Sequence, residues 1–207
     1  LLDEIVNLVE YTSVFLGDLP QIATELPESV VRSVLQQQMH SFLVYSQDGD
    51  VVPHFLSVRN GLTDFIDIVR RGNESVANAR LLDAAFFIQE DTREPLEAYV
   101  ARLDTLIFMD KLGTMAAKTL RLERLADCAT VYASVTPDER ATLIAAAHLS
   151  KADLATSMVK EYTSLQGEIG SVYLSRVGGS PAIVSAIREQ YLPRSPSEYI
   201  SSTRVGR

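Results

Sequence analysis

Few residues in this chain of 207 combine the types and spacing that chemistry needs. Its three histidines, His40, His54 and His148, are scattered. A zinc site would want His, Cys or carboxylates at tight spacing, and no such group is present. The one cysteine, Cys128, lies in an apolar helical pattern, away from any helix start that would lower its pKa. The chain holds no phosphate-binding G-x-x-x-x-G-K-[ST], no G-x-G-x-x-G, no H-E-x-x-H and no C-x-x-C. Asp153 and Glu161 stand eight apart and can share a helix face for acid-base work. A solvated face or a helix-to-helix ion pair explains them more simply. The basic residues carry more information. Lys111, Lys118, Arg121 and Arg124 gather around Gly113, and the last three have near-helical spacing. Such a stripe can track a phosphate backbone. The plainer account is a surface helix paired with Glu123 and Asp127, which sit among them.

The elements that position these residues follow from periodicity and punctuation. A short amphipathic helix with Leu2, Ile5, Val6 and Val9 precedes an apolar, strand-like run at Val14-Phe15-Leu16. Gly17-Asp18-Leu19-Pro20 is turn chemistry. Pro27 and Glu28 open a helix whose buried side is Val30, Val31, Val34 and Leu35. Two β-branched and aromatic runs, 42–45 and 51–58, flank Asp48-Gly49, which predicts a hairpin. Pro53 places the second strand near an edge.

From Asp64 the period becomes helical. Arg70-Arg71-Gly72 reads as a helix end, with a second helix over 75–90. Further helices are expected from Pro95, over 115–132, from the capping box Thr136-Pro137-Asp138-Glu139, and over 181–191. The stretch 143–173 is the longest helical pattern, with Leu143, Ala147, Leu154, Met158 and Tyr162 near one face and no breaker before Gly167. The fold class is therefore mainly α with a small α+β part.

Composition bounds the possibilities. Apolar residues make up 46% of the chain and charged residues 22%, as in an ordinary globular protein. No run of 18 apolar residues exists to span a membrane. The start, LLDEIVNLVEY, has no basic region of the kind that opens a signal peptide and does not begin with Met, so the chain is expected to be a piece of a longer one. One cysteine permits no internal disulfide, which fits a reducing compartment. The net charge of −8 opposes tight nucleic-acid binding through the overall field but leaves room for a local basic patch.

Three segments carry a resemblance to a known family. KADLATSMVKEYTSLQGEIGSVY resembles K-x-D-L-x-T-x-M-V-x-E-F-x-x-x-Q-G-x-M-G-x-x-Y of the β subunit of bacterial-type, two-subunit glycyl-tRNA synthetase. GNESVANARLLDAAFF and KLGTMAAKTLRLERLA resemble that family's G-N-E-x-V-x-x-x-R-L-x-D-A-x-F-F and L-G-T-x-x-x-K-T-x-R, and the likeness runs in order over nearly the whole chain. The chain departs from the family at Gln38-Met39-His40-Ser41-Phe42-Leu43-Val44, which lacks the lysine and proline of D-Q-K-Y-F-P-V.

The resemblance implies a fragment of a glycine–tRNA ligase that recognises and positions glycine tRNA and scaffolds its charging, with the aminoacylation site in the α subunit. The implied partners are glycine tRNA and the α subunit, separate or fused, with no membrane, in the cytoplasm. The fragment is expected to hold no cofactor, whereas the whole enzyme uses ATP with Mg. Residues 1–63 would end an α/β unit similar to a B3/B4 region shared with the phenylalanine enzyme's larger subunit. Residues 64–195 would form a helical HD-like domain, and residues 196–207 a polar tail. HD hydrolases use a His…His-Asp…Asp metal set. The chain has no His-Asp pair, and Lys151-Ala152-Asp153 stands near where one would be sought, so the fold is expected without the chemistry. The implied tRNA contacts are Arg80, Lys111, Lys118, Arg121 and Lys151. The rival readings are a stand-alone HD-type metal-dependent nucleotide phosphohydrolase and a structural module that binds only the α subunit.

Overall fold

The structure is a computed structural model that describes residues 1–195, 198–201 and 203. The rest of the expected polar tail lies outside the described residues. The chain is mainly helical with two small antiparallel sheets, and it divides into two compact units, Leu1–Phe87 and Ile88–Arg207. The division falls inside a long helix.

The first unit opens with α1 (Leu2–Leu8) and β1 (Thr12–Asp18). Next come α2 (Glu28–Ser33), one π-turn over Val34–Gln38, β2 (Phe42–Tyr45) and β3 (Val51–Asn60). The expected hairpin is present, with Phe42 opposite Leu56 and Leu43 opposite Phe55. Gly49 takes φ +90°, which its lack of a Cβ permits. β3 is nevertheless the central strand, because β1 pairs along its other side. Pro53 is tolerated there because it lies one residue past the last β1 pair, Asp18–His54, where its carbonyl accepts from Leu19 N–H at 2.9 Å and its missing N–H falls beyond the end of β1. Gly17 lies opposite Phe55, and any Cβ there would strike the Phe55 ring. Glycine at this position lets the fully buried ring lie across β1, edge-on to Phe15 at 6.4 Å. Val30, Val31, Val34 and Leu35 are all fully buried, as their spacing predicts.

α3 (Ile66–Asp91) replaces the two helices expected around Gly72. Gly72 costs the helix only about 1 kcal/mol, and no proline follows to stop it. Local pairs span the weak point: Arg70 reaches Asp67 and Glu74 at 3.4 and 3.3 Å, and Asn73 Nδ2 donates to the Val69 carbonyl at 2.9 Å.

The second unit takes the last residues of α3 and continues with α4 (Leu96–Arg102), β4 (Ile107–Met109), β5 (Gly113–Thr114) and α5 (Met115–Tyr132). α6 (Pro137–Leu149), α7 (Ser157–Glu161), α8 (Glu168–Arg176) and α9 (Pro181–Glu189) follow. Leu96, Tyr99, Leu103, Met115, Ala155 and Ile187 share its core. The capping box at Thr136 and Glu139 forms as read.

The stretch 143–173 is broken into short pieces rather than long helices. Its polar side chains bond to their own backbone instead of supporting the helical ladder. Ser150 Oγ donates to the Ala147 carbonyl at 2.8 Å, and Thr156 Oγ1 donates to the Asp153 carbonyl at 2.6 Å while accepting from Val159 N–H at the start of α7. A 3-10 turn, Ala152–Ala155, fills the gap between α6 and α7.

Candidate nucleic-acid interface

Two buried carboxylates set the helix ends of the second unit. Asp91, at the end of α3, accepts from the Ser157 and Met158 N–H groups at 2.8 and 2.9 Å, capping α7, and from the Tyr173 hydroxyl at 3.1 Å. Burial, with the Asp91 charge beside it, pushes the Tyr173 pKa far up. Asp153 Oδ2 accepts from Gly167 N–H at 2.5 Å and Gly170 N–H at 3.2 Å, capping α8. Asp153 is fully buried, and its Oδ1 has no hydrogen-bond partner among the described residues. Burial raises its pKa to about 6 against the two amide bonds that favour the carboxylate. Glu161, its supposed acid-base companion, is exposed.

Gly167 has φ +80°, and a Cβ on it would meet the Tyr191 ring at 2.8 Å. The Asp153 cap thus fixes a glycine surface on which Tyr191 packs. Tyr191 OH and Gln190 Oε1 in turn accept from Lys151 Nζ at 2.9 and 2.6 Å. Lys151 Nζ lies 4.0 Å from the centre of the Tyr191 ring. Gln190 is held by its own donations to the Ser150 and Ile187 carbonyls.

Opposite Lys151 stands Lys118. Thr114 caps α5 by accepting from Ala117 N–H at 3.2 Å, which sets Lys118 one turn into the helix. Its Nζ rests 3.9 Å over the Phe108 ring of β4. Lys118 and Lys151 share an open cleft of about 370 Å³ with Leu122, Leu143, Ala147 and Gln190 among its other walls. None of the residues lining the cleft is acidic. Burial, reinforced by the Lys118 charge, lowers the Lys151 pKa to about 8.

The acids that stand among the basic residues of α5 in sequence turn instead to α6. Glu123 accepts from His148 Nδ1 at 2.7 Å, and Asp127 accepts from Arg140 Nε at 2.7 Å. Glu97 of α4 takes the other ring nitrogen of His148 at 2.7 Å. Burial opposes the imidazolium, but the hydrogen bonds to Glu123 and Glu97 outweigh it, and the His148 pKa is raised.

Of the expected contact residues, the structure brings Lys118 and Lys151 together. Arg121 is exposed and donates to the Leu112 carbonyl at 3.1 Å, beside exposed Lys111 in the β4–β5 turn. Lys118, Arg121 and Arg124 fan over about 120° of α5 at 100° per residue, so the stripe divides between the cleft and the outer surface. Arg80 is exposed on α3, in the first unit. Sequence reasoning missed Asp91, Phe108, Gln190 and Tyr191. Gln190 and Tyr191 lie about 40 residues from Lys151, a separation that no local pattern encodes. Among the described residues, no three His, Cys, Asp or Glu side chains form a group that could hold a metal ion. No helix is long and apolar enough to cross a membrane among those residues.

Over residues 1–207 the chain matches the profile of a family of aminoacyl-tRNA synthetase subunits. That family is the glycyl-tRNA synthetase beta subunit, and the chain belongs to it. It is 40% identical over 206 residues to the glycine–tRNA ligase beta subunit of Listeria monocytogenes serotype 4b. The figure is 42% over 206 residues for that of Desulforudis audaxviator and 45% over 208 residues for that of Clostridioides difficile. Each match takes in 100% of this chain and 30% of the relative, so the chain spans about 30% of the length of the curated relatives it matches.

Two outcomes are expected. Asp153→Ala strands two buried N–H groups and lowers the unfolding free energy by about 2–5 kcal/mol, read by urea denaturation. The folded state favours the His148 imidazolium, so that contribution to stability is complete below pH 6.5 and lost as pH rises through the raised folded value. The thermal midpoint of the native chain is therefore expected to fall as pH rises above 6.5, and His148→Asn to flatten that fall.

Proposed function

We propose that this chain recognises and positions glycine tRNA within a glycine–tRNA ligase, and scaffolds ATP-dependent charging that takes place in the α subunit. It has no active site of its own in this reading. The helical unit is read as an HD-like fold without the metal chemistry, working in the cytoplasm with glycine tRNA and the α subunit as partners. The supporting observation is the cleft between Lys118 and Lys151, which carries two cations and no carboxylate in a chain of net charge −8. Each ammonium rests on an aromatic face, where a carboxylate would have neutralised it. Lys111, Arg121 and Arg80 are further contact candidates as exposed cations able to meet phosphates.

A second reading, a module that holds the α subunit, is favoured by the outer side of α3. Ile68, Val76, Leu82 and Phe86 are 49–61% exposed and fall within an arc of about 120°. One experiment separates the two. The double charge reversal K118E/K151E in the whole enzyme raises KM for glycine tRNA by about tenfold or more under the first reading, because two phosphate contacts become repulsive. KM for glycine stays where it is. An unchanged KM for tRNA overturns the first reading and leaves the second.

A further inference from the structure

The Lys118–Lys151 cleft is shaped for more than a bare anion. Its volume of about 370 Å³ falls inside the range of small-molecule sites, roughly 300–1,000 Å³. Leu122, Leu143, Ala146, Ala147 and Ala186 supply apolar lining in the same cleft as the two ammonium groups. Lys151 spends two of its three N–H donors on Gln190 and Tyr191 and keeps one. No hydrogen bond or ion pair engages Lys118 among the described residues, where its partner is the Phe108 ring. Ser150 Oγ donates to the Ala147 carbonyl and keeps its lone pairs for an incoming donor. A duplex cannot enter a space of this size, whereas a splayed-out nucleotide can, with its base on an apolar surface and its phosphate on cations.

We infer that the cleft seats one unpaired nucleotide unit, its phosphate between Lys118 and Lys151 and its base along the Leu122–Leu143–Ala147 wall. The inference rests on the proposed RNA-contacting role and sharpens it: the RNA contact is made to a single-stranded residue, not to the side of a helix. The same chemistry would admit a free nucleoside monophosphate. Both sources present one phosphate beside one planar base.

The test is lysine footprinting on the enzyme assembled from whole α and β subunits. Lysines are pulse-acetylated near pH 8, where burial and the Lys118 charge leave Lys151 about half neutral, and Lys118, Lys151 and exposed Lys160 are quantified by peptide mass spectrometry. The additions are AMP, UMP, inorganic phosphate and glycine tRNA, each alone. The readout belongs to these side chains, so nucleotide bound elsewhere on the enzyme does not enter it. AMP or UMP is expected to slow acetylation of Lys118 and Lys151 several-fold with Lys160 unchanged, and glycine tRNA to do the same. Inorganic phosphate is expected to protect less, since it leaves the apolar wall uncovered. Mononucleotides that leave both lysines unprotected overturn the inference, as does phosphate that protects as well as they do. Protection by tRNA in those cases preserves the broader RNA-contact reading. Protection by mononucleotide but not by tRNA supports the seat, assigns it to a free nucleotide and removes the RNA-contact reading.

Discussion

The second unit depends on a buried carboxylate set against the start of a helix. Asp153 has no exposed surface, and its bonds run from Oδ2 to the Gly167 and Gly170 amides. Amide donors at a helix start favour the charged form, and the helix dipole adds to them. Burial works the other way and prevails, since the pKa rises to about 6. At neutral pH the group is therefore mostly a carboxylate held at some cost, and the amides hold it in place. The glycines are part of the same device. Gly170 leaves room for the carboxylate, because a Cβ there would lie 3.1 Å from Oδ2. Gly167 leaves room for Tyr191, which carries Lys151. Asp91 repeats the arrangement at α7 and adds Tyr173. Asp91 thus ties α3 to α7 through backbone amides and to α8 through the Tyr173 hydroxyl, and Asp153 ties the 3-10 turn to α8, a form of attachment that needs no long apolar helix face.

The charge distribution follows from where the acids are committed. An acidic chain can present a cationic cleft only if its carboxylates are directed elsewhere. Glu123 and Asp127 are held by His148 and Arg140 of α6, Glu94 by Arg102, and Asp153 by backbone amides. Lys118 and Lys151 bond and stack with aromatic rings and neutral oxygens, and Asp153, whose charge reaches Lys151, spends its hydrogen bonds on backbone amides. Such contacts steady an ammonium without cancelling its field, so the local potential in the cleft opposes the net charge of the chain. A lysine held this way meets an incoming phosphate without first breaking an ion pair.

Sequence carried the fold further than it carried the site. The hairpin at Asp48-Gly49, the buried side of α2, the bounds of α5 and the capping box at Thr136 are local signals, and each is realised where it was read. The misreadings are places where a local signal competes with context. Gly72 reads as a helix end, but i,i+4 pairs bridge it. Pro53 reads as an edge residue, but it sits in the central strand just past the end of β1, where no β1 pair needs its N–H. The unbroken periodicity of 143–173 gives way to side-chain bonds from Ser150 and Thr156. Lys118 and Lys151 were named from sequence separately. Their meeting depends on Tyr191, Gln190 and Phe108, which are distant in the chain and carry no motif.

The central claim, that two lysines of this chain contact RNA phosphates, is tested most directly by the salt dependence of binding. Glycine tRNA would be titrated onto the whole enzyme over a range of salt concentrations, for the native form and for K118A/K151A. Each lost phosphate contact removes about 0.7–0.9 from the slope of log K against log salt. The account predicts that the double variant binds more weakly at low salt and has a slope shallower by about 1.5. Equal slopes for the two forms would contradict it.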